Sequence, residues 1–325
     1  MRALVVGGGS IGTRHLKNLA AVGIEGAGVV EPDEARRRAI VAETGAAGYA
    51  FLEDALARQP DFAIICTPTD NHVATALLAA KAGCHLFVEK PLSHSLEGLD
   101  ELLREARSRS LITLVGCNMR FHPGPAAVKR CLEEGLIGEV LAARIEGGSY
   151  LPRWRPGQDY RSSYSASPRH GGAILDYIHE LDLALWYLGP ARLLAAGALP
   201  AHSIGLKTEG LAEILLRHDT GQLSNVHVNF VQQDYHRACQ IIGAQGTLRW
   251  NFAAQKVTVT GPEGQTMRII EQPNQWTLNQ MYVDELRHFA ESVEKGCPTI
   301  NSLEGGRDAL QLALAARSWP LQHAA

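Results

Sequence analysis

From residue 1 to about 118, short apolar runs alternate with stretches of helical period. ALVV, GAGVV, DFAIIC, HLFVE and LITLVGC, each bounded by glycine, proline or polar residues, predict strands; 11–22, 33–44, 71–82 and 95–109 predict helices. The runs are apolar at nearly every position rather than at alternate ones. Strands of that kind are buried on both faces, which predicts a parallel sheet covered by helices, a doubly wound α/β domain.

Beyond residue 120 the period changes. In NVHVNFV, Val226, Val228 and Phe230 alternate with His227 and Asn229, and DTG at 219–221 predicts a hairpin turn between LAEILLRH and QLSNVHVNF. EVLAARIEG, RACQIIG, TLRWNF, KVTVTG and TMRIIE predict further strands. The expectation is an α+β domain with an open-faced, mostly antiparallel sheet. Two helices are expected at the end: 279–295, with Leu286, Phe289 and Val293 on one stripe, and 303–318, with Leu310, Ala313 and Leu314. With no linker or repeat to mark a boundary, the change of period divides the chain into domains at 1–120 and 121–325.

Composition adds exclusions. Of 325 residues 46% are hydrophobic and 20% charged, an ordinary globular balance, and the net charge of -3 argues against nucleic acid or an anionic membrane as partner. The longest run of basic residues is Arg36–Arg38. The first strand begins almost at Met1 and no apolar run approaches the roughly 18 residues of a spanning helix, so a cytoplasmic protein is expected. The six cysteines are scattered without a CxxC pair, which signals neither a disulfide framework nor a zinc site.

The chemistry begins at GGGSIG, which fits G-x-G-x-x-G through Gly7, Gly9 and Gly12, follows a strand, opens a helix, and precedes Glu31 by 19 residues from Gly12. Gly7 permits the tight turn, Gly9 lets backbone approach a pyrophosphate, and Gly12 lets the helix pack on the sheet with its positive end toward the phosphates. Gly7, Gly9, Ser10, Ile11 and Gly12 are thus the expected phosphate contacts. Glu31 is expected to accept from the adenine-ribose hydroxyls and repel a 2'-phosphate, favouring NAD; the rival is NADP, with Arg36, Arg37 or Arg38 reaching that phosphate.

The later segments ICTPTDNH and FVEKP, together with GGAILDYIHELD and the closing Glu304-Gly305-Gly306 helix, carry a resemblance over nearly the whole chain. With the glycine loop they make TP-x-x-x-H, EKP and GG-x-x-x-D...H-x-x-D segments, and the sequence resembles the Gfo/Idh/MocA family of glucose-fructose oxidoreductases and inositol dehydrogenases. The resemblance implies a Rossmann domain followed by a sheet domain that forms homodimers or homotetramers. It places Thr67, Pro68, Asn71 and His72 along the dinucleotide, Glu89 and Lys90 beside the nicotinamide, and Lys90 at the centre of catalysis. Both segments also fall at strand ends, where doubly wound sheets bind ligands.

Read as one helix, GGAILDYIHELDLALWYLG (171–189) buries Ile174, Ile178, Leu181, Leu185 and Leu188 on a narrow stripe, and puts Asp176, His179 and Asp182 within roughly a third of the circumference. Leu175, Leu183 and Trp186 share that side, so the ionisable trio reads as the wall of a binding site rather than a solvated face. The family spaces the acid four residues before the histidine; here Asp176 precedes His179 by three. A metal held by His179 with Asp176 or Asp182 is the rival, but a catalytic metal needs three convergent ligands, and none is expected. Between these segments, Arg120, Arg153, Arg155, Arg161 and Arg169 could bind an anionic group, with Trp154, Tyr160 and Tyr164 as stacking faces for a sugar. Arg120, Arg153, Trp154, Tyr160, Arg161 and Asp182 are the expected substrate contacts.

The expected activity is an NAD-dependent oxidation of a secondary alcohol of a sugar or sugar derivative, anionic or nucleotide-linked, to the ketone, or the reverse. His179 is the candidate base, Lys90 stabilises the alkoxide or takes the proton itself, and Asp176 orients the imidazole. Two alternatives share the fold: an NAD-retaining glycosidase that cycles its cofactor, and a non-catalytic sugar-sensing regulator.

Overall fold

A computed structural model describes residues 1–319. In chain order the first elements are β1 (Ala3–Val6), α1 (Ser10–Ala21), β2 (Gly28–Val30), α2 (Glu34–Thr44), β3 (Ala47–Tyr49), α3 (Leu52–Leu56), β4 (Phe62–Ile65), α4 (His72–Lys81), β5 (His85–Glu89), α5 (Leu99–Ser108) and β6 (Thr113–Gly116). Then follow α6 (Pro123–Glu133), β7 (Val140–Gly148), α7 (Ala173–Asp176), α8 (Ile178–Leu188), β8 (Ala191–Pro200), β9 (Glu209–His218), β10 (Leu223–Asn229), β11 (His236–Gly243), β12 (Gly246–Asn251), β13 (Lys256–Thr260), β14 (Thr266–Glu271), α9 (Leu278–Lys295) and α10 (Leu303–Arg317). They form two compact units, Met1–Asn118 with Thr277–Arg307, and Met119–Trp276 with the chain from Asp308.

The first unit is the doubly wound α/β domain that the continuous apolar runs predict. Its sheet runs β3-β2-β1-β4-β5-β6, all parallel, with Val5, Val29, Phe62, Ile64, Phe87 and Leu114 fully buried. Strand order reverses between β1 and β4, the point at which such sheets bind ligands beyond the carboxyl ends of their strands. The expected boundary is corrected here, because α9 returns to this unit instead of staying with the second. Its Leu286 and Phe289 are wholly buried, and Phe289 meets Phe62 and Phe87 edge-on at 5.4 and 5.6 Å. Helix α5 starts at Leu99, later than 95, because Gly98 takes the left-handed conformation just before it. β3 and α3 were not expected; each is too short to carry a period.

The second unit holds an eight-stranded sheet, β14-β13-β12-β11-β7-β10-β9-β8. All its pairs are antiparallel except β10 with β7, and the hairpin expected at DTG joins β9 to β10. Ala143, Ile145, Ile214, Leu216, Val226, Val228, Cys239, Ile241, Leu248 and Trp250 line the buried face, against which α6, α7 and α8 pack. The other face carries half-exposed residues such as Leu211, Leu215 and Ile242 and is open, as expected. Unforeseen β8 is mostly alanine and leucine with no alternation. The single helix expected over 171–189 is broken: Tyr177 (φ -92, ψ 31) separates α7 from α8 and turns its own ring into the core.

Candidate active site

In the first unit the glycine loop joins β1 to α1. Gly7 has φ +104, and a Cβ there would lie 2.5 Å from the Cys66 carbonyl oxygen at the end of β4; on Gly12 it would lie 1.9 Å from the Gly7 carbonyl oxygen. Only glycine fits either position. A Cβ on Gly9 would meet no protein atom within 4 Å. The turn is closed where chain meets chain and open at the position that a pyrophosphate approaches, so the residues fit a dinucleotide. Thr67 gives the same indication: its hydroxyl is buried beyond β4 with no hydrogen-bond partner.

Glu31, immediately after β2, is buried. Its Oε2 accepts the Gly8 N–H at 3.0 Å and its Oε1 the Asp33 N–H at 2.9 Å, so the acid braces the loop it serves. Arg36 approaches the same carboxylate at 3.4 Å, Arg37 donates to the Glu31 carbonyl at 2.6 Å, and Arg38 pairs with Glu34 on the surface.

At the ends of β4 and β5 two histidines tie down the TPTDNH and EKP segments. His72, the first residue of α4, places Nε2 at 2.8 Å from the Thr67 carbonyl and Nδ1 at 3.0 Å from the Pro91 carbonyl, spanning the two segments. Burial lowers its pKa, against which those backbone contacts and the Glu89 charge work. Glu89 accepts the Lys90 N–H at 3.1 Å on Oε2, and on Oε1 it accepts from His15 of α1 at 2.7 Å. Burial first, and then the Glu89 charge, pushes the neighbouring Cys66 thiol well up, so Cys66 stands as a neutral apolar group. Among the described residues no group of three His, Cys, Asp or Glu side chains could hold a metal ion.

In the second unit α7 and α8 present the acidic segment. Asp176 is buried and accepts from the Tyr164 hydroxyl. Burial and the Asp176 charge raise the Tyr164 pKa well above its ordinary value, which keeps it a donor. Asp182 is taken up in full by Arg120, Nε to Oδ2 at 2.9 Å and Nη2 to Oδ1 at 2.7 Å, a buried bidentate pair. Glu180 pairs with Arg237 at 2.6 Å. His179 is buried near the start of α8. The structure therefore brings Asp176 to Tyr164 and joins two expected substrate contacts, Arg120 and Asp182, to each other.

Within the expected binding loop, 150–172, residues from Leu151 to Ser165 line a cavity of about 240 Å³. Trp154, Arg155, Tyr160 and Tyr164 are among its lining. Arg153 turns instead to Gln233, at 3.0 Å from its carbonyl and 3.1 Å from its side-chain oxygen, and Arg161 lies over the Tyr160 ring. Sequence reasoning missed His15, whose signal was its place one helical turn past Gly12, and the Glu180–Arg237 pair, which left no local signal.

A parallel Rossmann sheet carrying a dinucleotide loop, followed by an open-faced sheet unit, defines an NAD(P)-dependent oxidoreductase acting on CH–OH groups. Residues 1–117 match the family described as "Oxidoreductase family, NAD-binding Rossmann fold", and 126–249 match the "GFO/IDH/MocA C-terminal domain". The chain belongs to the Gfo/Idh/MocA family. It is 29% identical to the myo-inositol 2-dehydrogenase of Thermotoga maritima, over 98% of this chain and 95% of that one. It is 28% identical to the scyllo-inositol 2-dehydrogenase (NAD(+)) of Bacillus subtilis, over 91% and 87%. An oxidoreductase from Agrobacterium radiobacter in complex with NAD+, L-tartaric acid and magnesium superposes with a TM-score of 0.84 at 25% identity, over 97% and 95% of the two chains. No helix among the described residues is long and apolar enough to cross a membrane.

Proposed function

We propose that this protein oxidises a secondary alcohol of a sugar or sugar derivative to the ketone, or runs the reverse reaction, with NAD as its cofactor. The observation that carries the reading is the corner after β5, where Glu89 holds the Lys90 N–H at 3.1 Å and His72 ties Pro91 back to Thr67 of the dinucleotide side. A lysine so braced is built to hold charge at a fixed place. The named activities of the inositol dehydrogenase relatives support the substrate class.

NAD, when bound, takes up the hydride from the carbinol carbon. The amino end of α1 and the loop at Gly9, Ser10 and Ile11 hold its phosphates, Glu31 its adenine ribose, and Thr67, Pro68 and Asn71 the rest of its length. Glu31 favours NAD over NADP by repelling a 2'-phosphate. Lys90 stabilises the oxygen as it gains negative charge, and His179 accepts the hydroxyl proton as the carbonyl forms. Asp176 orients the base and is itself held by Tyr164. Trp154 and Tyr160 offer ring faces to the substrate.

The open face of the second sheet, with Leu211, Leu215, Leu223 and Ile242, is proposed as the surface through which copies associate into a dimer or tetramer. The proposed location is the cytoplasm, where a reducing milieu suits six cysteines that stand as thiols, five of them buried.

Mass spectrometry of ligands retained on purification, followed by NADH formation with inositols, aldoses, uronates and nucleotide sugars, tests the reading. Turnover of a member of that panel with NAD supports it. Tightly retained NAD with glycoside cleavage and no net NADH would replace it with a redox-cycling glycosidase.

A further inference from the structure

We propose that the loop from Leu151 to Ser165 holds a second binding site, for a neutral hydroxylated six-membered ring attached to the ring that is oxidised. The substrate is then a two-ring compound rather than a single sugar or cyclitol. This rests on the dehydrogenase reading above and names the substrate class for it.

Four features carry the inference. The cavity is formed by this one segment, and at about 240 Å³ it lies below the roughly 300–1,000 Å³ usual for sites that take a whole drug-sized ligand. It is the size of one ring. Its aromatic lining has its polar tips occupied elsewhere: Trp154 donates to the Ser149 hydroxyl at 2.6 Å, Tyr160 to the Ile204 carbonyl at 2.8 Å, and Tyr164 to Asp176. What these side chains can offer a ligand is ring surface, which suits the C–H faces of a pyranose or cyclitol.

The third feature is charge. Arg155 and Asp159 both line the cavity, with the amide of Gln158. One guanidinium and one carboxylate balance, so a bare phosphate or carboxylate would meet repulsion as well as attraction. A ring of hydroxyls, each both donor and acceptor, can use all three groups. Of the other arginines, Arg153 is spent on Gln233, and Arg161 lies over the Tyr160 ring with its guanidinium 3.9 Å from Asp159 Oδ1, which leaves Asp159 Oδ2 as the acceptor for a ring hydroxyl.

The fourth is position. Neither Asp176 nor His179 lines the cavity, whereas Tyr164 lines it and gives its hydroxyl to Asp176. A ring in the cavity is therefore separated from the acid of the catalytic pair by the Tyr164 side chain. It is a neighbour of the reacting ring and not the reacting ring itself.

The full-length chain with NAD is assayed by NADH formation on two series: myo-inositol, scyllo-inositol, glucose and galactose, and the same kinds of ring carrying a second one, as in galactinol, cellobiose, maltose and lactose. At least one two-ring compound is expected to show a kcat/KM at least about tenfold above its single-ring counterpart, the difference lying in KM. Trp154→Ala is expected to bring that ratio down toward one. Arg155→Ala, at an exposed side chain with little to lose in folding, is expected to lower it in the same direction. Single rings used as well as or better than every two-ring compound, or a ratio unmoved in both variants, would overturn the second site while leaving the dehydrogenase intact. Absence of NADH from both series, with NADH formed from a uronate or a nucleotide sugar, overturns the second site alone, and absence of NADH from that whole panel overturns the dehydrogenase reading and the second site with it.

Discussion

His15 of the glycine-loop helix donates to Glu89 at 2.7 Å, while the other Glu89 oxygen holds the Lys90 N–H at 3.1 Å. One carboxylate thus connects the glycine-loop helix to the backbone of the lysine. The histidine is wholly buried, its ring edge-on to Phe87 at 5.0 Å and to Tyr282 at 6.4 Å. His15→Leu keeps the apolar packing but strips the donor, leaving a buried carboxylate oxygen unsatisfied at a cost of about 1–3 kcal/mol. The expected result is a lower denaturation midpoint and a fall in kcat larger than the rise in KM for NAD. His15→Gln, which returns an N–H donor, should recover most of kcat. Equal kinetics in His15→Leu and the parent would show that the bond does not position Lys90.

His122 gives the pH dependence. It is buried with its ring against Trp250 and Trp276, and burial, with the Arg237 charge as the second cause, pushes its pKa from 6.5 down to about 4. A base depressed in the folded state stays neutral while the unfolded chain takes up a proton. Stability is therefore full above pH 6.5 and declines as pH falls toward 4, by at most about 3 kcal/mol from this group. His122→Asn keeps a side-chain acceptor for the Gly124 N–H that His122 now caps. Urea unfolding at several pH values should show a shallower decline between pH 6.5 and 4 in the variant. An identical slope in both proteins would remove His122 from the account.

The Arg120–Asp182 pair makes a third test. Both partners are buried, at 8% and 1% exposure, and joined by two hydrogen bonds. Removing one partner of such a pair strands the other charge, which usually costs about 3–5 kcal/mol. Asp182→Ala should lose that much in chemical denaturation. A loss under about 1 kcal/mol, the range of surface pairs, would mean that the guanidinium finds another acceptor.

How much of this was legible in the sequence follows from the range of each interaction. The glycine loop, its acid and the strand ends could be read because each is a contiguous stretch whose spacing is its meaning. Phe289 could be read as buried, since its stripe repeats with the helix, but not as buried against Phe62 and Phe87, because a stripe does not say which core it enters. The break at Tyr177 is hidden for a related reason: its neighbours keep helical period on both sides, and the interruption shows in tertiary contacts of the Tyr177 side chain, with Trp154, Phe230 and the Ser149 hydroxyl. That Asp182 pairs with Arg120 is not legible in the sequence, because the partner lies 62 residues away.

Cofactor choice turns on Glu31. Its carboxylate braces Gly8 and Asp33 and is the group proposed to hold the adenine ribose, so Glu31→Ser should weaken both cofactors. NAD should lose more, because the variant also removes the repulsion of a 2'-phosphate, with Arg36 already 3.4 Å from that carboxylate and free to turn toward the phosphate. Dissociation constants from NADH and NADPH fluorescence decide it. Tighter NADPH binding in the parent would overturn the role given to Glu31.

The last prediction concerns the reacting groups. If Lys90 stabilises charge on the oxygen and His179 takes the proton, both act in the transition state, and Lys90→Met and His179→Ala should each lower kcat by about 10² to 10⁴. NADH affinity should change little in either, because the phosphates and ribose are assigned to the glycine loop and Glu31. The double variant should lose less than the product of the single losses, since groups acting on one transition state are not additive. Tyr164→Phe separates orientation from proton transfer: it removes the hydroxyl that Asp176 accepts without touching either candidate, and should lower kcat by less than His179→Ala. The requirement for a basic form in the pH profile of kcat/KM should vanish in His179→Ala and persist in Lys90→Met. The opposite pattern would make Lys90 the proton acceptor, and near-parental kcat in either single variant, with chemistry shown to limit turnover, would remove that residue from the reaction.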